Sequence, residues 1–474
     1  MRITDVSLTD GQSATWGGAM TGSMSTWMAP HMARTAVDSI EITSVPVMQQ
    51  DVARGHDPWE RIRSFAEAAP NTRLRASLSL IPGHGEHGCD VIGPDVAEAW
   101  LEQAKSAGIL EVLITDPLPG TDRSAPVVAA AKAMGLHAIL VLPLPEVQVE
   151  DAALIALASG FANAAPDRVQ LRDEAGVLTD ERLARLIAPL RAGLGCIPLD
   201  LHTRCQTSYG PLVALEAARL GLDGLDLALA PVANGGSVPA LGRFLKSLAT
   251  LGIGDHVAAD FTSVTDASNR LAELADFHDW EIGRPWAFGL APYRHNLPGD
   301  VAAQAMAALT KAGLSRRIND LAEECAAIRR DIGGPPMLAP FAGAVAAQAL
   351  RHLHEARYAT IARGIRLALQ QVAGEMPGPV DSGLLARVGA VRRPVPSTMT
   401  ELRKTHPNAA DADLVASQIT GCLPAALPKG RFEPYAQDSP EDALAAGLAA
   451  RAAGFADLRV TAPGVDLAFR TGGE

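Results

Sequence analysis

The sequence has few cysteines, fewer basic than acidic residues, and no long hydrophobic run. Its five cysteines are widely spaced and never form a CxxC pair, which argues against a zinc knuckle or a disulfide framework and predicts reduced thiols. The net charge of -12 argues against a nucleic-acid or anionic-membrane partner, because both require basic surfaces. No apolar run reaches the roughly 18 residues that span a bilayer, and the N-terminus lacks the apolar core of a signal peptide. These absences predict a cytoplasmic protein without membrane insertion.

The first part of the sequence alternates between short, β-branched apolar runs and helical patterns. With 474 residues, of which 48% are hydrophobic, the chain has an ordinary globular composition and room for more than one domain. Alternating strands and helices predict parallel βα units, and no GxGxxG motif follows the first run. About eight such units before residue 290 favour a TIM (β/α)8 barrel over a dinucleotide-binding sheet. The predicted strands are 3–8, 38–42, 74–80, 111–116, 138–142, 168–172, 197–202 and 224–228.

The pattern changes near residue 290 and becomes almost entirely helical, rich in alanine and leucine with apolar residues at i, i+3 and i+4. We therefore predict three parts: a barrel domain over 1–290, a mostly helical domain over 291–425, and an extension over 426–474 whose role the sequence does not indicate.

Polar residues follow several predicted strands at the points where those strands end. Catalytic residues of TIM barrels lie at the carboxyl ends of the strands, so these residues form the predicted site. They are Thr9, Asp10, Gln12, Ser79, Asp116, Arg172, Asp173, His202, Thr203 and Arg204. The loop 83–89, GHGEHGC, also has metal-like spacing, although an active-site loop or a turn is the simpler interpretation.

Seven segments resemble, in the same order, motifs of the carboxyltransferase component of biotin-dependent pyruvate carboxylases and oxaloacetate decarboxylases. Together they cover roughly residues 1 to 425, and the set is more specific than any one of its members. The segments are DVSLTDGQS (5–13), DPWERIR (57–63), LRDEAGVL (171–178), LHTRCQTSYG (201–210), YRHNLPGD (293–300), DIGGPPMLAP (331–340) and RYATIARGI (357–365).

This resemblance implies a TIM barrel, a C-terminal helical domain and carboxybiotin delivered by a separate carrier protein. It also implies that biotin carboxylase and biotin carboxyl carrier protein are separate partner chains, because the sequence shows no biotinylation motif of the AMKM type and no biotin carboxylase region. A homodimer and a divalent metal such as zinc, manganese or cobalt are further implications.

The residues that carry the chemistry in this family are only partly present. The family's metal-binding aspartate corresponds to Asp10, its first metal-binding histidine to His202 and its substrate glutamine to Gln12. The carbamylated lysine corresponds to Arg172, and the second histidine corresponds to Arg204.

Three further family positions also differ. The arginine before the metal aspartate is Thr9, the second substrate arginine falls near Ser79, and the proton-shuttling hydroxyl falls at Ala303.

Arginine at two of the four metal positions leaves two hypotheses, because a guanidinium has no neutral amine to carbamylate and no lone pair to donate to a metal. In the first, Asp200 joins Asp10 and His202 in a rebuilt metal site, since i and i+2 on a strand face the same side. In the second, Arg172 and Arg204 occupy the space of the metal and bind a carboxylate, with Asp10 as an ion-pair partner.

We accordingly expect a carboxyltransferase-like subunit that acts on a small acid, such as a 2-oxo acid, through an altered site. The predicted catalytic residues are Asp10, Gln12, Arg172, His202 and Arg204, and the predicted substrate contacts are Gln12, Ser79, Arg172 and Arg204. Two alternatives remain open. One is an inactive paralogue that acts as a scaffold or regulatory subunit, and the other is a lyase or aldolase on the same barrel.

Overall fold

A computed structural model describes residues 1–83, 91–118, 121–144, 151–253, 257–389, 398–435, 457–462 and 465–470. Eight parallel strands close into a barrel, in which each strand pairs with the next along the chain and the eighth pairs with the first. The strands are β1 (Arg2–Asp5), β2 (Ser39–Thr43), β3 (Leu74–Ser79), β4 (Glu111–Thr115), β5 (His137–Pro143), β6 (Arg168–Asp173), β7 (Leu199–Thr203) and β8 (Gly224–Leu227). The TIM-barrel prediction is confirmed.

Helices surround the barrel and form the chain that follows it. Helices α1 to α10 are Gln12–Trp16, Gly22–Ala33, Val45–Ala53, Glu60–Ala68, Pro94–Ala107, Thr121–Ala133, Asp151–Asn163, Asp180–Leu194, Gly210–Arg219 and Leu241–Leu251. Helices α11 to α19 are Phe261–Phe277, Ala291–His295, Gly299–Lys311, Ile318–Asp331, Phe341–His352, Arg363–Leu369, Ser382–Val388, Met399–Thr405 and Asp411–Thr420. No helix of the described chain has both the length and the apolarity needed to cross a bilayer.

Capping explains several helix ends. The hydroxyl of Thr179 accepts a hydrogen bond from the amide of Arg182 at the start of α8. Gly108 closes α5 with a φ of 114°, a conformation that costs glycine little because it has no Cβ.

The first strand is shorter than the sequence predicts. It ends at Asp5, because Oδ1 of this residue accepts a hydrogen bond of 2.8 Å from the amide of Ser7 and turns the chain. A π-helical turn over Ser7–Gly11 follows, and this turn carries Asp10 to the mouth of the barrel. Irregular helical turns of this kind are often found at functional sites.

The buried apolar residues fall into two main clusters. The first fills the barrel and the space beneath its helices, and it also contains residues of α18 and α19. The second is built mainly from residues 297–384, together with Ile81 and Leu118 from the barrel. The helical part of the chain therefore packs over one end of the barrel, while the segment from Met399 to Leu427 returns to pack beside the barrel.

Two further strands, β9 (Asp457–Ala462) and β10 (Val465–Arg470), form an antiparallel pair within the predicted extension. The loop 83–89 that the sequence singled out lies outside the described residues from position 84 onward.

Candidate active site

A cavity of about 140 Å³ opens at the carboxyl ends of the barrel strands. Strand ends and the loops after them supply one wall. The opposite wall comes from the helical part of the chain, through Pro298, Asp300, Val301, Leu338 and Ala339. This is the end of the barrel at which the sequence placed the site.

Arg204 lies at the centre of a buried group of charges. Its Nη2 forms an ion pair with Oδ1 of Asp10 at 2.6 Å. This contact does not have the geometry of a hydrogen bond. Its Nε donates to Oε2 of Glu174 at 2.7 Å, and its Nη1 donates to the carbonyl of Gly236 at 3.1 Å. Oδ1 of Asp300 is 3.4 Å from Nη2. Arg204 therefore has a partner on each of its three nitrogens.

Arg172 completes this group, but only two of its three nitrogens have an acceptor among the described residues. Its Nε donates to Oε1 of Glu174, and its Nη1 donates to Oε1 of Gln170 at 3.0 Å. Within the described chain no residue accepts from its Nη2, and the side chain lines the cavity. We call Asp10, Arg172, Glu174, His202 and Arg204 the upper cluster.

The charges of the upper cluster stabilise one another. Burial alone would raise the pKa of Glu174, but Arg172 and Arg204 lower it far below its usual range. Burial would likewise lower the pKa of Arg204, yet Asp10 and Glu174 raise it. For Asp300, burial outweighs Arg204 and raises the pKa. At neutral pH the core of the cluster is two guanidiniums that share the ionised carboxylate of Glu174.

His202 lies behind the cavity wall rather than on it. The side chain is fully buried, and its Nδ1 is 3.0 Å from Oδ2 of Asp226. Asp226 also accepts two hydrogen bonds of 2.9 Å from Arg75. Burial would raise the pKa of Asp226, but Arg75 and His202 lower it strongly. The ionised carboxylate therefore fixes the proton of His202 on Nδ1 and turns Nε2 toward Asp10, 3.8 Å away.

The turn after β8 holds the two walls of the site together. Its Gly236 carbonyl accepts from Arg204, and the backbone of Gly236 contacts Gly299 at the start of α13. A Cβ at position 299 would lie only 1.7 Å from the Gly236 oxygen. Asp300 follows directly, so this glycine contact sets its distance from Arg204.

The structure brings most of the predicted site residues together. Asp10, Ser79, Arg172 and Arg204 line the cavity, whereas Gln12 and His202 are buried behind it. The hydroxyl of Ser79 donates a hydrogen bond to the carbonyl of Ile81 and accepts one from the amide of the same residue.

Asp200 does not join this group. It lies near the amino end of β7, where its carboxylate is 3.0 Å from Arg168 and 3.3 Å from Arg2. Arg168 also contacts Glu111 at 2.7 Å. We call Arg2, Glu111, Arg168 and Asp200 the lower cluster.

The sequence prediction missed Glu41, Arg75, Glu174, Asp226 and Asp300. Glu41, Arg75 and Asp226 are charged residues inside otherwise apolar strands, and all three are buried. Because helices cover the outer face of a TIM barrel, a charged residue within a strand is expected to face its interior, and this signal was available. Glu174 follows Arg172 by two residues, whereas the approach of Asp300 depends on how the helical part packs.

The carboxylates of Asp10 and Glu174 and the imidazole of His202 lie close enough to hold one metal ion between them. Their ligand atoms are all within 4.8 Å of one another. The guanidinium of Arg204 already lies on both carboxylates, so a dication would share them with a fixed positive charge. The arrangement therefore does not fit a bound divalent metal.

Comparison with known proteins places this site in context. No family model matches the chain. It is 24% identical over 344 residues to the pyruvate carboxylase B subunit of Methanocaldococcus jannaschii, covering 70% of this chain and 58% of that protein. It is also 24% identical over 336 residues to the 2-oxoglutarate carboxylase large subunit of Hydrogenobacter thermophilus, covering 70% of this chain and 51% of that protein. The chain thus spans little more than half the length of these relatives.

Among solved structures, the carboxyltransferase domain of Rhizobium etli pyruvate carboxylase, determined with pyruvate, superposes with a TM-score of 0.78 at 18% identity. The match covers 89% of this chain and 75% of that domain. The resemblance predicted from the motifs is confirmed: the chain is similar in sequence to these carboxylase subunits and shares the fold of the carboxyltransferase domain.

Proposed function

We propose that this chain transfers a carboxyl group between carboxybiotin and a small 2-oxo acid bound in the cavity at the barrel mouth. The observation that carries the proposal is the guanidinium of Arg172, which lines this cavity and whose Nη2 has no acceptor among the described residues. A guanidinium N–H is a strong donor to a carboxylate or a developing enolate oxygen in a site shielded from water. The relatives named above, with their carboxylase activities, support the same chemistry.

In this proposal arginine replaces a metal as the electrophile. A proton leaves the carbon next to the oxo group, and the enolate oxygen that forms is stabilised by Arg172. The carbanion attacks the carboxyl carbon of carboxybiotin, the bond from that carbon to the ureido nitrogen breaks, and the nitrogen takes up the proton.

Asp10 is the proposed proton carrier, because it lines the cavity. Nε2 of His202 lies 3.8 Å behind it and would share the proton. The role of Arg204 is to hold Asp10 and Glu174 in place.

We also propose that biotin carboxylase and a biotinylated carrier protein act as separate partner chains, and that the chain forms a homodimer in the cytoplasm. These partners follow from the resemblance alone, and the cavity supplies only the acceptor side of the reaction.

Enolate formation tests the proposal without any partner chain. Purified protein, stripped with a chelator and checked by elemental analysis, is incubated with pyruvate in D2O, and NMR follows exchange of the methyl protons. We expect exchange that saturates with pyruvate and persists after stripping. One tightly bound dication per chain, with exchange lost on its removal, would contradict the arginine version.

A non-catalytic role is the second candidate, because every nitrogen of Arg204 already has a protein partner. An arginine engaged in this way suits a structural role. The absence of exchange with any 2-oxo acid, together with retained binding to a biotin carboxylase, would favour this candidate.

A further inference from the structure

A second and larger cavity, of about 480 Å³, lies between the segment that follows α11 and helices α13 and α14. Its walls are almost wholly apolar, and among the described residues that line it none carries a permanent charge. The main apolar contacts come from Trp286, Pro292, Leu297, Met306 and Leu321. This composition favours a neutral ligand, because neither a carboxylate nor an ammonium group would find a counter-charge among the residues that line the cavity.

One polar group stands out in this apolar wall. His295 is only 4% exposed, and its Nδ1 accepts a hydrogen bond of 2.9 Å from the amide of Leu297. Since Nδ1 is the acceptor, the proton of the neutral ring lies on Nε2. Burial lowers the pKa of His295 to about 4, so the ring is neutral at physiological pH. Within the described chain no residue accepts from Nε2, which leaves a fixed donor in the cavity wall.

A ligand oxygen that accepts a hydrogen bond from Nε2 would satisfy this donor, and an apolar surface of this size is more stable when covered. We propose that this cavity binds a neutral, largely apolar small molecule whose carbonyl oxygen accepts a hydrogen bond from Nε2 of His295. An amide, ketone or ester on a short hydrocarbon body has the required chemistry. This site is separate from the charged cavity and does not depend on the proposed carboxyl transfer.

Gln206 connects the two regions of the molecule. It lines the apolar cavity, and its Nε2 donates to the carbonyls of Leu297 at 2.8 Å and Glu174 at 3.2 Å. The side chain of Gln206 therefore links the wall of the apolar cavity to the backbone of Glu174 in the upper cluster.

The test compares three probes that share a chain and differ in the head group: hexanamide, hexanoate and hexylamine. Binding to the full-length protein is measured by saturation-transfer NMR and titration calorimetry. We expect saturable binding of hexanamide and at least tenfold weaker binding of the two charged probes. Equal binding of all three, or no saturable binding of hexanamide, would overturn the proposal.

Two variants separate the hydrogen bond from the cavity. His295→Asn keeps an acceptor for the Leu297 amide, but its shorter side chain places no donor at the position of Nε2, and we expect hexanamide to bind roughly two- to tenfold more weakly. Ala305→Met extends a longer side chain from the cavity wall and is expected to weaken the binding of hexanamide. The matched control, His354→Asn, changes an exposed histidine of the same helical part and should bind like the parent. Weaker binding in Ala305→Met with unchanged binding in His295→Asn would reject the role of His295.

Discussion

Two buried ion-pair clusters lie at opposite ends of the barrel, and strands β6 and β7 contribute to both. The lower cluster joins Arg168 and Asp200, near the amino ends of these strands. The upper cluster joins Arg172 and Arg204, near their carboxyl ends, through Glu174. Both clusters contain two arginines, and apart from the partly exposed Arg2 of the lower cluster their side chains are mostly buried. The upper one borders the cavity at the barrel mouth and includes Arg172, whose Nη2 has no acceptor among the described residues. Both clusters have buried charge, so buried charge alone does not identify a functional site.

The largest expected effect concerns the lower cluster. Arg168→Ala leaves the carboxylates of Glu111 and Asp200 buried without their shared partner, and removing one side of a buried ion pair costs about 3–5 kcal/mol. We expect a loss of this size in the free energy of unfolding, measured by urea denaturation. Arg191→Ala is the control, because the ion pair of Arg191 is exposed and 3.7 Å long. A loss under about 1 kcal/mol would mean that the lower cluster is not structural.

For the upper cluster we expect a loss of activity rather than of stability, and Arg172→Ala tests this. Removing one preorganised donor to a developing oxyanion slows catalysis by about 10²–10³-fold. We expect a decrease of this size in pyruvate proton exchange, with a fold that remains intact by circular dichroism. Arg185→Ala, on the exposed face of α8, should leave exchange unchanged. Exchange at the parent rate in Arg172→Ala would remove Arg172 from the mechanism.

Replacing Arg204 would show whether its guanidinium excludes a metal. In Arg204→Met the carboxylates of Asp10 and Glu174 lose their shared cation, and His202 already lies within reach of both. We expect this variant to gain close to one zinc or manganese per chain after growth in metal-replete medium, as measured by elemental analysis. Arg172→Met, which leaves Arg204 in place, should gain none. Equal metal content in the parent would contradict the exclusion.

The smallest expected effect is a difference in pH dependence between the clusters. The pKa of Glu174 is lowered, because its two arginines outweigh its burial, so its stabilisation is present above the ordinary glutamate pKa and is lost as the pH falls below it. Burial raises the pKa of Asp200 despite Arg168, so the folded state holds that proton more tightly. Its contribution to stability therefore decreases as the pH rises through the range between its ordinary and raised pKa values.

Unfolding free energies measured across acid pH in Glu174→Gln and Asp200→Asn would reveal these two slopes. We expect the gap between the parent and Glu174→Gln to shrink on acidification. The slope that Asp200 contributes should disappear in Asp200→Asn. Slopes of the same sign for both sites would contradict the assignment.

The sequence predicted the barrel well because its signals are local. All eight strands were found to within three residues at either end, since short β-branched runs between helical patterns leave few alternatives. The largest difference is at the end of β1, where the strand stops three residues earlier than predicted. There the side chain of Asp5 turns the chain, and an apolar pattern alone does not reveal a turn.

The sequence predicted which end of the barrel carries the candidate site, but not the position of each residue along its strand. Arg172 and Arg204 follow from their position at strand ends. Asp200 and His202 do lie on the same face of β7, as the alternation of side chains predicts. They are nevertheless about 6.6 Å apart along the strand. That rise is enough to move Asp200 out of the upper cluster and into the lower one. Asp300 was out of reach, because its position depends on packing between distant parts of the chain.

The contact between Gly236 and Gly299 restricts which substitutions the protein can accept at position 299. At most positions in a helix an alanine is an improvement over glycine, but at 299 even one methyl group would collide with the opposite backbone. Relief of that collision would push Asp300 away from Arg204 and widen the gap between barrel and helices. Variation in the acceptor that this scaffold accommodates is therefore expected to come from the side chains around the cavity, because the backbone contact at Gly299 limits the spacing of its two walls.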